Sequence, residues 1–299
     1  MNAVLIIDKA AGLTSHDVVD RVRRIVEQRS VGHLGTLDPL ATGVLPLVLG
    51  SLTRLAQFYT ASEKTYEGTM RFGFATDTYD AEGEPTTPPQ NVSLALANVQ
   101  ELARRFRGVI EQMPPPFSAK KIHGVPAYKL ARKKKEVKLA PVQVTIHEFE
   151  IVSCAGDRAE FRARVASGTY MRSVAHDLGR ELGCGGHLES LRRTSVAEFG
   201  LADARTLEQV ESAYDAGQFD EICVHPRKLL PQMPSVTVTD EIARQVRSGR
   251  AVNLPDFSRA KQVKVFYGQR ELIAIATRVA GTLFHPKLVF AAENIPTFR

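Results

Sequence analysis

Strand-like segments follow one another in this 299-residue chain without a regular alternation of strands and helices. Two of them, "VQVTIHEFEIV" at 142–152 and "RAEFRARVA" at 158–166, are joined by a short loop that contains Gly156. A third, "KTYEGTMRFGF" at 64–74, alternates so that Tyr66 shares one face with apolar residues. Without regular alternation of strand and helix, the pattern predicts an α+β fold around a mainly antiparallel sheet.

Cap and turn residues delimit the other predicted elements. Thr14 and Asp17 have the spacing of a capping box, which predicts a helix there, after a strand at 3–8. Pro46 in "VLPLVLG", residues 44–50, indicates an edge strand or a bulge because proline has no N–H to give a neighbour. Further helices are predicted at 94–107, 171–182 and 239–248, and further strands at 262–267, 271–279 and 287–293.

A domain boundary is predicted in "LLPQMPSV", residues 229–236, where two prolines interrupt the pattern. The chain is long for one domain, and two domains are typical of this length. The sequence therefore predicts a larger domain at 1–232 and a compact β-rich domain at 233–299.

Charge and cysteine content narrow the class of protein. The formal net charge of +6 at pH 7 favours a polyanionic partner, although many enzymes of small anions have a similar excess. The three cysteines are widely spaced and odd in number, which predicts reduced thiols rather than disulfides. No apolar run is long enough for a signal sequence or a membrane span, so we expect a cytoplasmic protein.

The loop "GHLGTLDPLATG", residues 32–43, contains a single carboxylate, Asp38. Its three glycines allow backbone angles and close approaches that a side chain would block. Pro39 fixes its own φ and pushes Asp38 toward an extended conformation. These residues indicate a loop that presents one acid in one orientation. They are also compatible with an ordinary turn that has an Asp at its corner, and the loop alone does not decide between the two.

The most unusual stretch is "MPPPFSAKKIHGVPAYKLARKKKEVK", residues 113–138, in which basic residues are interleaved with Phe117 and Tyr128. Cations can follow a nucleic-acid backbone while aromatic rings stack on bases. We predict a basic hairpin that clamps RNA, with Lys120 and Lys121 among its contacts. A solvated basic hairpin without a ligand is the alternative, but the three consecutive prolines favour the clamp because a merely solvated loop has no use for stiffness.

Six blocks of this sequence, in the same order along nearly the whole chain, resemble the bacterial TruB family of tRNA pseudouridine synthases. The blocks are "GHLGTLDPLATGVLPLVLG", "KTYEG", "TDTYDAEG", "PPPFSAKKIHGVPAYKLAR", "SGTYMRSVAHDLG" and "LRRTSVAEF". The resemblance implies isomerisation of uridine 55 in the T loop of tRNA by a catalytic domain with a central antiparallel sheet. The C-terminal part resembles a PUA-type RNA-binding domain. No cofactor or metal is implied, and we expect a monomer that binds the tRNA T arm without an obligate protein partner.

The resemblance also implies roles for five residues of the site. Asp38 matches the nucleophile, and Arg172 matches the arginine that pairs with it and keeps it ionised. Tyr66 and Tyr170 match two tyrosines of the family's site, where a ring can stack on a flipped base and a phenol can relay a proton. We assign the removal of the C5 proton to Tyr66. Leu191 matches an apolar position that closes the pocket.

Further residues match the family outside this central group. His33 precedes the acid and corresponds to a residue that packs among the bases of the T loop. Asp80 in "TDTYDAEG" matches an acid near the site. Arg54 stands where many relatives have a lysine, and we expect it to contact the RNA backbone.

Three alternatives to this assignment agree less well with the sequence. A non-catalytic tRNA-binding or folding protein on the same scaffold would not need the nucleophile, its arginine and both tyrosines together. A glycoside hydrolase would need a second carboxylate at an identifiable spacing. A metal site at "CGGH", 184–187, would need a partner Cys-x-x-Cys that the sequence lacks. The sequence leaves open whether Asp38 attacks ribose C1′, attacks uracil C6 or assists a glycal route.

Overall fold

The computed structural model describes residues 1–118 and 139–290, together with the backbone of 121–122 and 125–126. These residues form a nine-stranded and a five-stranded sheet with packed helices, which confirms the predicted α+β class. The strands are β1 (Val4–Lys9), β2 (Val31–His33), β3 (Thr42–Leu49), β4 (Lys64–Phe72), β5 (Gly108–Gln112), β6 (Lys121–Ile122), β7 (Val125–Pro126), β8 (Val142–Ala155), β9 (Arg158–Val165), β10 (Gly186–Val196), β11 (Phe199–Gly200), β12 (Ser235–Val238), β13 (Val252–Asn253), β14 (Gln262–Tyr267), β15 (Glu271–Ala280) and β16 (Leu283–Val289). The α-helices are α1 (Ser15–Ile25), α2 (Ala56–Tyr59), α3 (Leu96–Arg104), α4 (Met171–Glu181), α5 (Leu207–Asp215), α6 (Phe219–Ile222) and α7 (Asp240–Arg247).

The nine-stranded sheet follows the order β1-β3-β10-β4-β9-β8-β5, with β2 beside β3 and β11 beside β10. Its neighbours are antiparallel except for β3 and β10, which run parallel. Because β10 lies between β3 and β4, it brings the loop that precedes β3 close to side chains of β4. None of the helices in the described part of the chain is both long and apolar enough to cross a membrane.

Local sequence signals explain where several elements begin. The Thr14 hydroxyl accepts a hydrogen bond from the Asp17 N–H at 3.1 Å, and the Asp17 carboxylate accepts one from the Thr14 N–H at 2.8 Å. This is the predicted capping box at the start of α1. Tyr66 of β4 packs in the core, as the alternation along this strand predicted. The helices predicted at 94–107 and 171–182 are α3 and α4, each slightly shorter than predicted.

The prediction that Pro46 marks an edge or a bulge is wrong, because β3 is an inner strand. Pro46 faces Ile6 in a pairing with β1 that has no register shift, while β2 and β10 lie on the other side of β3. On that side β10 pairs with residues 42–43 and β2 with residues 47–49. Pro46 therefore lies between the two ladders, where no strand partner on that side requires the N–H that proline lacks.

The predicted C-terminal strand also begins earlier than expected. β16 starts at Leu283 instead of residue 287 and ends at Val289, and the rest of the predicted segment, 291–293, lies outside the described residues. Several elements were not predicted, and the most important for the site is the central strand β10; helix α5 was missed as well.

The five-stranded sheet has the order β12-β14-β15-β16-β13, with β12 and β14 parallel. Not all of its apolar residues lie in a core of their own. Phe266 of β14 and Leu272 of β15 belong to the same buried cluster as Val4 and Ile6 of β1. The two sheets are therefore joined by a continuous apolar contact.

A buried polar cluster fixes the segment between the two sheets. The Tyr59 hydroxyl donates to Glu198 Oε1 at 2.5 Å, and the Leu230 N–H donates to the same oxygen at 2.8 Å. Leu230 has a φ of +50°, a strained value for a branched residue. On the other side, Nζ of the buried Lys264 donates to the Leu229 carbonyl at 2.5 Å. These bonds hold an irregular backbone segment in one conformation.

Candidate active site

A cleft of about 420 Å³ lies beside the loop that precedes β3. Its walls come from β2, this loop, β4, the start of α4 and β10, so the fold brings together residues that are far apart in sequence. Six of the predicted site residues line it: His33, Asp38, Tyr66, Tyr170, Arg172 and Leu191.

The backbone on the C-terminal side of the loop is held by three groups. Ser15 Oγ accepts from the Leu37 N–H at 2.8 Å and donates to the Leu37 carbonyl at 3.1 Å. The Pro39 carbonyl accepts from Lys9 Nζ at 3.1 Å and from the Gly12 N–H at 2.9 Å. Lys9 is fully buried, and burial lowers its pKa to about 8 although Asp38 attracts its positive charge. The acid at position 38 is thus held between two fixed peptide groups.

A second buried cation, Arg193 of β10, holds the N-terminal side of the loop. Its guanidinium donates to the carbonyls of Gly35 at 3.0 Å, Thr36 at 3.2 Å and Val44 at 2.7 Å. Arg193 has no exposed surface. Together with Lys9, it gives the loop the rigid backbone that the sequence indicated, so Asp38 is more than the corner of an ordinary turn.

Arg172, at the start of α4, pairs with Asp38 across the cleft. Its Nη2 donates to Asp38 Oδ1 at 3.1 Å, and its Nε lies 2.9 Å from Oδ2. The same guanidinium donates to the carbonyls of Thr78 at 3.1 Å and Phe117 at 2.9 Å. The Arg172 side chain is 5% exposed and that of Asp38 is 37% exposed. The acid is therefore accessible from the cleft, while the cation that pairs with it is buried.

Asp80 lies behind Arg172 as a second carboxylate. Its Oδ2 is 3.6 Å from Arg172 Nη1, and its Oδ1 accepts from the Thr78 hydroxyl at 2.5 Å and from the Glu82 N–H at 3.1 Å. Burial raises the pKa of Asp80, and the Thr78 hydrogen bond and Arg172 act against that rise. Asp80 contributes to fixing Arg172 and does not line the cleft.

Tyr66 and Leu191 line the cleft from neighbouring strands, β4 and β10. Both are buried, with 7% and 8% of their surface exposed. Arg193 is the residue directly opposite Tyr66 in the pairing of these strands, so the two side chains are neighbours on one face of the sheet. Burial raises the pKa of Tyr66, and the positive charge of Arg193 opposes this rise. An aromatic ring beside a branched apolar side chain is suitable for holding a flat nucleobase.

Tyr170 and His33 lie at the two sides of the cleft. The backbone N–H of Tyr170 donates to Gln112 Oε1 at 2.8 Å, and its carbonyl accepts from Gln112 Nε2 at 3.1 Å. Burial raises the pKa of Tyr170. His33 Nδ1 accepts from the Gly35 N–H at 3.3 Å, and burial lowers the pKa of this imidazole. Both side chains are half-buried and remain in contact with the cleft.

Of the three cations predicted to contact the RNA backbone, only Arg54 has a side chain among the described residues. Arg54 is exposed, does not line the cleft, and donates from Nη1 to the Val289 carbonyl at 2.8 Å. It therefore connects the larger part of the chain with β16. Lys120 lies outside the described residues, and for Lys121 only the backbone, in β6, is described.

Sequence reasoning missed three cations of the site: Lys9, Arg193 and Lys64. Lys64 lines the cleft, donates to the Ser62 carbonyl at 2.8 Å, and has a pKa that burial lowers to about 8. One signal was available for Arg193. It is two residues from Leu191, so recognition of β10 as a strand would have placed both side chains on one face.

Metal-binding side chains do not cluster in the described part of the chain: no three of His, Cys, Asp and Glu converge there. His187 in "CGGH" instead has its Nδ1 3.2 Å from the Phe74 carbonyl, with its ring against the Phe74 ring.

Comparison with solved structures identifies the fold. The chain superposes on a protein of an H/ACA RNP bound to a substrate RNA containing 2′-deoxyuridine, with a TM-score of 0.72 and 23% identity. The match covers 98% of this chain and 86% of that one. A protein of the archaeal box H/ACA sRNP Nop10–Cbf5 complex matches with a TM-score of 0.69 at 23% identity over 98% of this chain and 87% of that one.

Comparison of sequences identifies the class and then the family. A model described as TruB family pseudouridylate synthase (N terminal domain) matches residues 23–171, and one described as tRNA pseudouridylate synthase B C-terminal domain matches 172–231. Proteins named tRNA pseudouridine synthase B are 49% identical in Solibacter usitatus, over 97% of this chain and 100% of that protein, and 38% identical in Aquifex aeolicus, over the same shares. These matches define an isomerase of the pseudouridine synthase class. More particularly, the chain belongs to the TruB family of pseudouridylate synthases.

Proposed function

We propose that this chain converts uridine 55 in the T loop of tRNA to pseudouridine, with Asp38 as the nucleophile. The names of its relatives support tRNA as the substrate. The observation that carries the proposal is the Asp38–Arg172 pair, in which an accessible carboxylate on an anchored loop faces a buried cation. A nucleophile in such a site must be charged although partly dehydrated, and Arg172 offsets that cost.

The remaining residues of the cleft have roles in handling the base. The reaction cuts the C1′–N1 bond, turns the uracil, and rejoins it through C5, so the detached base must be retained. Tyr66 stacks on the flipped uracil and Leu191 closes the pocket over it. Attack on ribose C1′, attack on uracil C6 and assistance of a glycal route all require Asp38 as a carboxylate. Tyr66 receives the C5 proton after rejoining.

RNA binding extends beyond the cleft. The T loop packs against His33 and Tyr170, and the basic hairpin of 113–138, with Lys120 and Lys121, clamps the RNA backbone. The β-rich part at 233–299 acts as a PUA-like RNA-binding domain beside the catalytic domain at 1–232. The protein works in the cytoplasm as a monomer and needs no protein partner.

The test is conversion of a T-arm stem-loop RNA by the purified protein, with digestion to nucleosides and chromatographic detection of pseudouridine. A stem-loop with cytidine at position 55 is the matched substrate control. Product from the first RNA and none from the second supports the proposal. Tight binding of both RNAs without any product would instead make the chain a tRNA-binding or folding protein.

A further inference from the structure

We propose that Arg193 acts through Tyr66, by making this tyrosine able to give up a proton and take one back during the transfer of uracil from N1 to C5. The proposal rests on the proposed function, because it concerns the proton that leaves C5 in that reaction. It gives a fully buried cation a role in the chemistry, in addition to its contacts with the Asp38 loop.

The strand register places the two side chains together. Arg193 of β10 and Tyr66 of β4 are direct partners in an antiparallel ladder, where opposite residues have neighbouring side chains on the same face. Neither side chain can turn to solvent, since Arg193 has no exposed surface and Tyr66 is 7% exposed. The guanidinium therefore lies beside the phenol at the buried wall of the cleft.

The charge of Arg193 is not cancelled by a direct partner. Its donors go to the carbonyls of Gly35, Thr36 and Val44, and no carboxylate of the described residues forms an ion pair with it. The charge of Asp38 acts on both groups and favours the neutral phenol, whereas Arg193 favours the phenolate. A buried, fixed cation of this kind stabilises charge that develops beside it.

The reaction needs a group that first gives a proton to N1 and later takes a proton from C5. Cleavage of the C1′–N1 bond leaves negative charge on uracil, and the Tyr66 phenol gives its proton to N1. After the base turns, the C5–C1′ bond forms, the bond that the nucleophile Asp38 had formed to the substrate breaks and regenerates the carboxylate, and C5 still bears its hydrogen. The phenolate oxygen of Tyr66 then takes that proton, and the electron pair of the C5–H bond restores the C5–C6 double bond. The product has its proton on N1, Tyr66 is again a phenol, and no external acid or base is consumed.

The two possible roles of Arg193 slow different steps. If Arg193 only anchors Gly35 and Thr36, its loss displaces Asp38 and slows cleavage of the C–N bond. If it stabilises the Tyr66 phenolate, its loss slows removal of the C5 proton. Replacement of hydrogen by deuterium at C5 of the substrate uridine distinguishes the two, because only the second step breaks the bond to that atom.

The experiment compares single-turnover conversion of T-arm RNA with hydrogen or deuterium at C5 of uridine 55. We expect Arg193→Gln to slow conversion about 10²-fold, with a C5 isotope effect well above that of the wild type. Arg193→Lys retains the charge and should recover part of the rate. Ser15→Ala loosens the same loop at Leu37 without touching Tyr66, and it should slow conversion with the isotope effect unchanged.

An Arg193→Gln variant that is slow but has the isotope effect of the wild type would overturn the proposal. A variant with the full rate of the wild type would overturn it as well.

A second measurement uses the unaltered protein: carbon NMR of labelled tyrosine during a rise in pH, with Tyr66→Phe for assignment. Tyr66, beside a guanidinium, should ionise before Tyr59, whose hydroxyl donates to Glu198. Ionisation of Tyr59 first would also overturn it. This titration needs no turnover, so it remains decisive if T-arm uridine is not converted and the proposed function itself fails.

Discussion

Replacement of Arg172 by Met removes a cation on which two carboxylates and two carbonyls depend. The guanidinium donates to Asp38 and to the carbonyls of Thr78 and Phe117, and it lies 3.6 Å from Asp80. Loss of one partner of a buried pair costs about 3–5 kcal/mol. Because the Asp38 side chain is 37% exposed and can regain water, we expect the lower end, about 3 kcal/mol. At about 2–4 °C per kcal/mol, Tm should fall by about 6–12 °C.

Activity should fall together with stability, and the loss of stability should depend on pH. The single-turnover rate should fall at least about 10²-fold, because the cation that pairs with the nucleophile is gone. Burial already raises the pKa of Asp80, and removal of Arg172 lets it rise further. The folded state then binds this proton more tightly than the unfolded state, so the stability deficit should shrink as pH falls toward that pKa.

Differential scanning calorimetry and T-arm conversion measure both effects. Arg180→Met is the matched control on the same helix, since the Arg180 side chain is 68% exposed in a pair with Asp177. Because the Arg180 guanidinium lies mostly in solvent, although Asp177 is 17% exposed, its loss should cost no more than about 1 kcal/mol, and the control should stay close to the wild type. If Arg172→Met is as stable and as active as Arg180→Met, the reasoning about the buried cation is refuted.

Three further substitutions test other parts of the structure. Lys64→Gln removes a cleft cation whose pKa burial lowers to about 8. The RNA affinity of the wild type, measured by filter binding, should therefore fall as pH rises through 8, and that of the variant should not. Gly43→Ala places a methyl against the β10 backbone at a φ of +97° and should cost more than about 2 kcal/mol in urea unfolding, while Gly200→Ala, in open space, should be neutral. Glu198→Ala removes the carboxylate that accepts from both the Leu230 N–H and the Tyr59 hydroxyl and should cost about 2 kcal/mol in the same assay, and no loss would contradict the role of the polar cluster.

Local signals in the sequence were sufficient for elements whose pattern is repeated over several residues. The capping box of Thr14 and the alternation around Tyr66 depend only on near neighbours, and both predicted the structure correctly. The rigidity of the Asp38 loop was also visible, because glycine and proline restrict the backbone wherever they occur.

Strand β10 and the cation Arg193 were not predicted, because charged residues are seldom buried. β10 was missed because "LRRTSV" has two adjacent arginines, and charged residues usually indicate an exposed segment. Arg192 pairs with Asp8 at the surface of the sheet, while Arg193 is fully buried among carbonyls from a distant loop. The position of Pro46 was also predicted wrongly. The interval between β2 and β10 exists only in the assembled sheet, so no local sequence signal indicates it.

Mapping of pseudouridine along a full-length tRNA transcript, after carbodiimide labelling that marks pseudouridine and not uridine, tests the central claim most directly. The wild-type protein and Asp38→Asn are compared on the same transcript, with RNA affinity measured in parallel. We predict one labelled position, 55, with the wild type, and none with Asp38→Asn, whose affinity should stay within a few-fold because the amide keeps the shape of the acid. Labelling at position 55 by Asp38→Asn at the wild-type rate would contradict the assignment of the nucleophile, and labelling only at other positions would contradict the substrate.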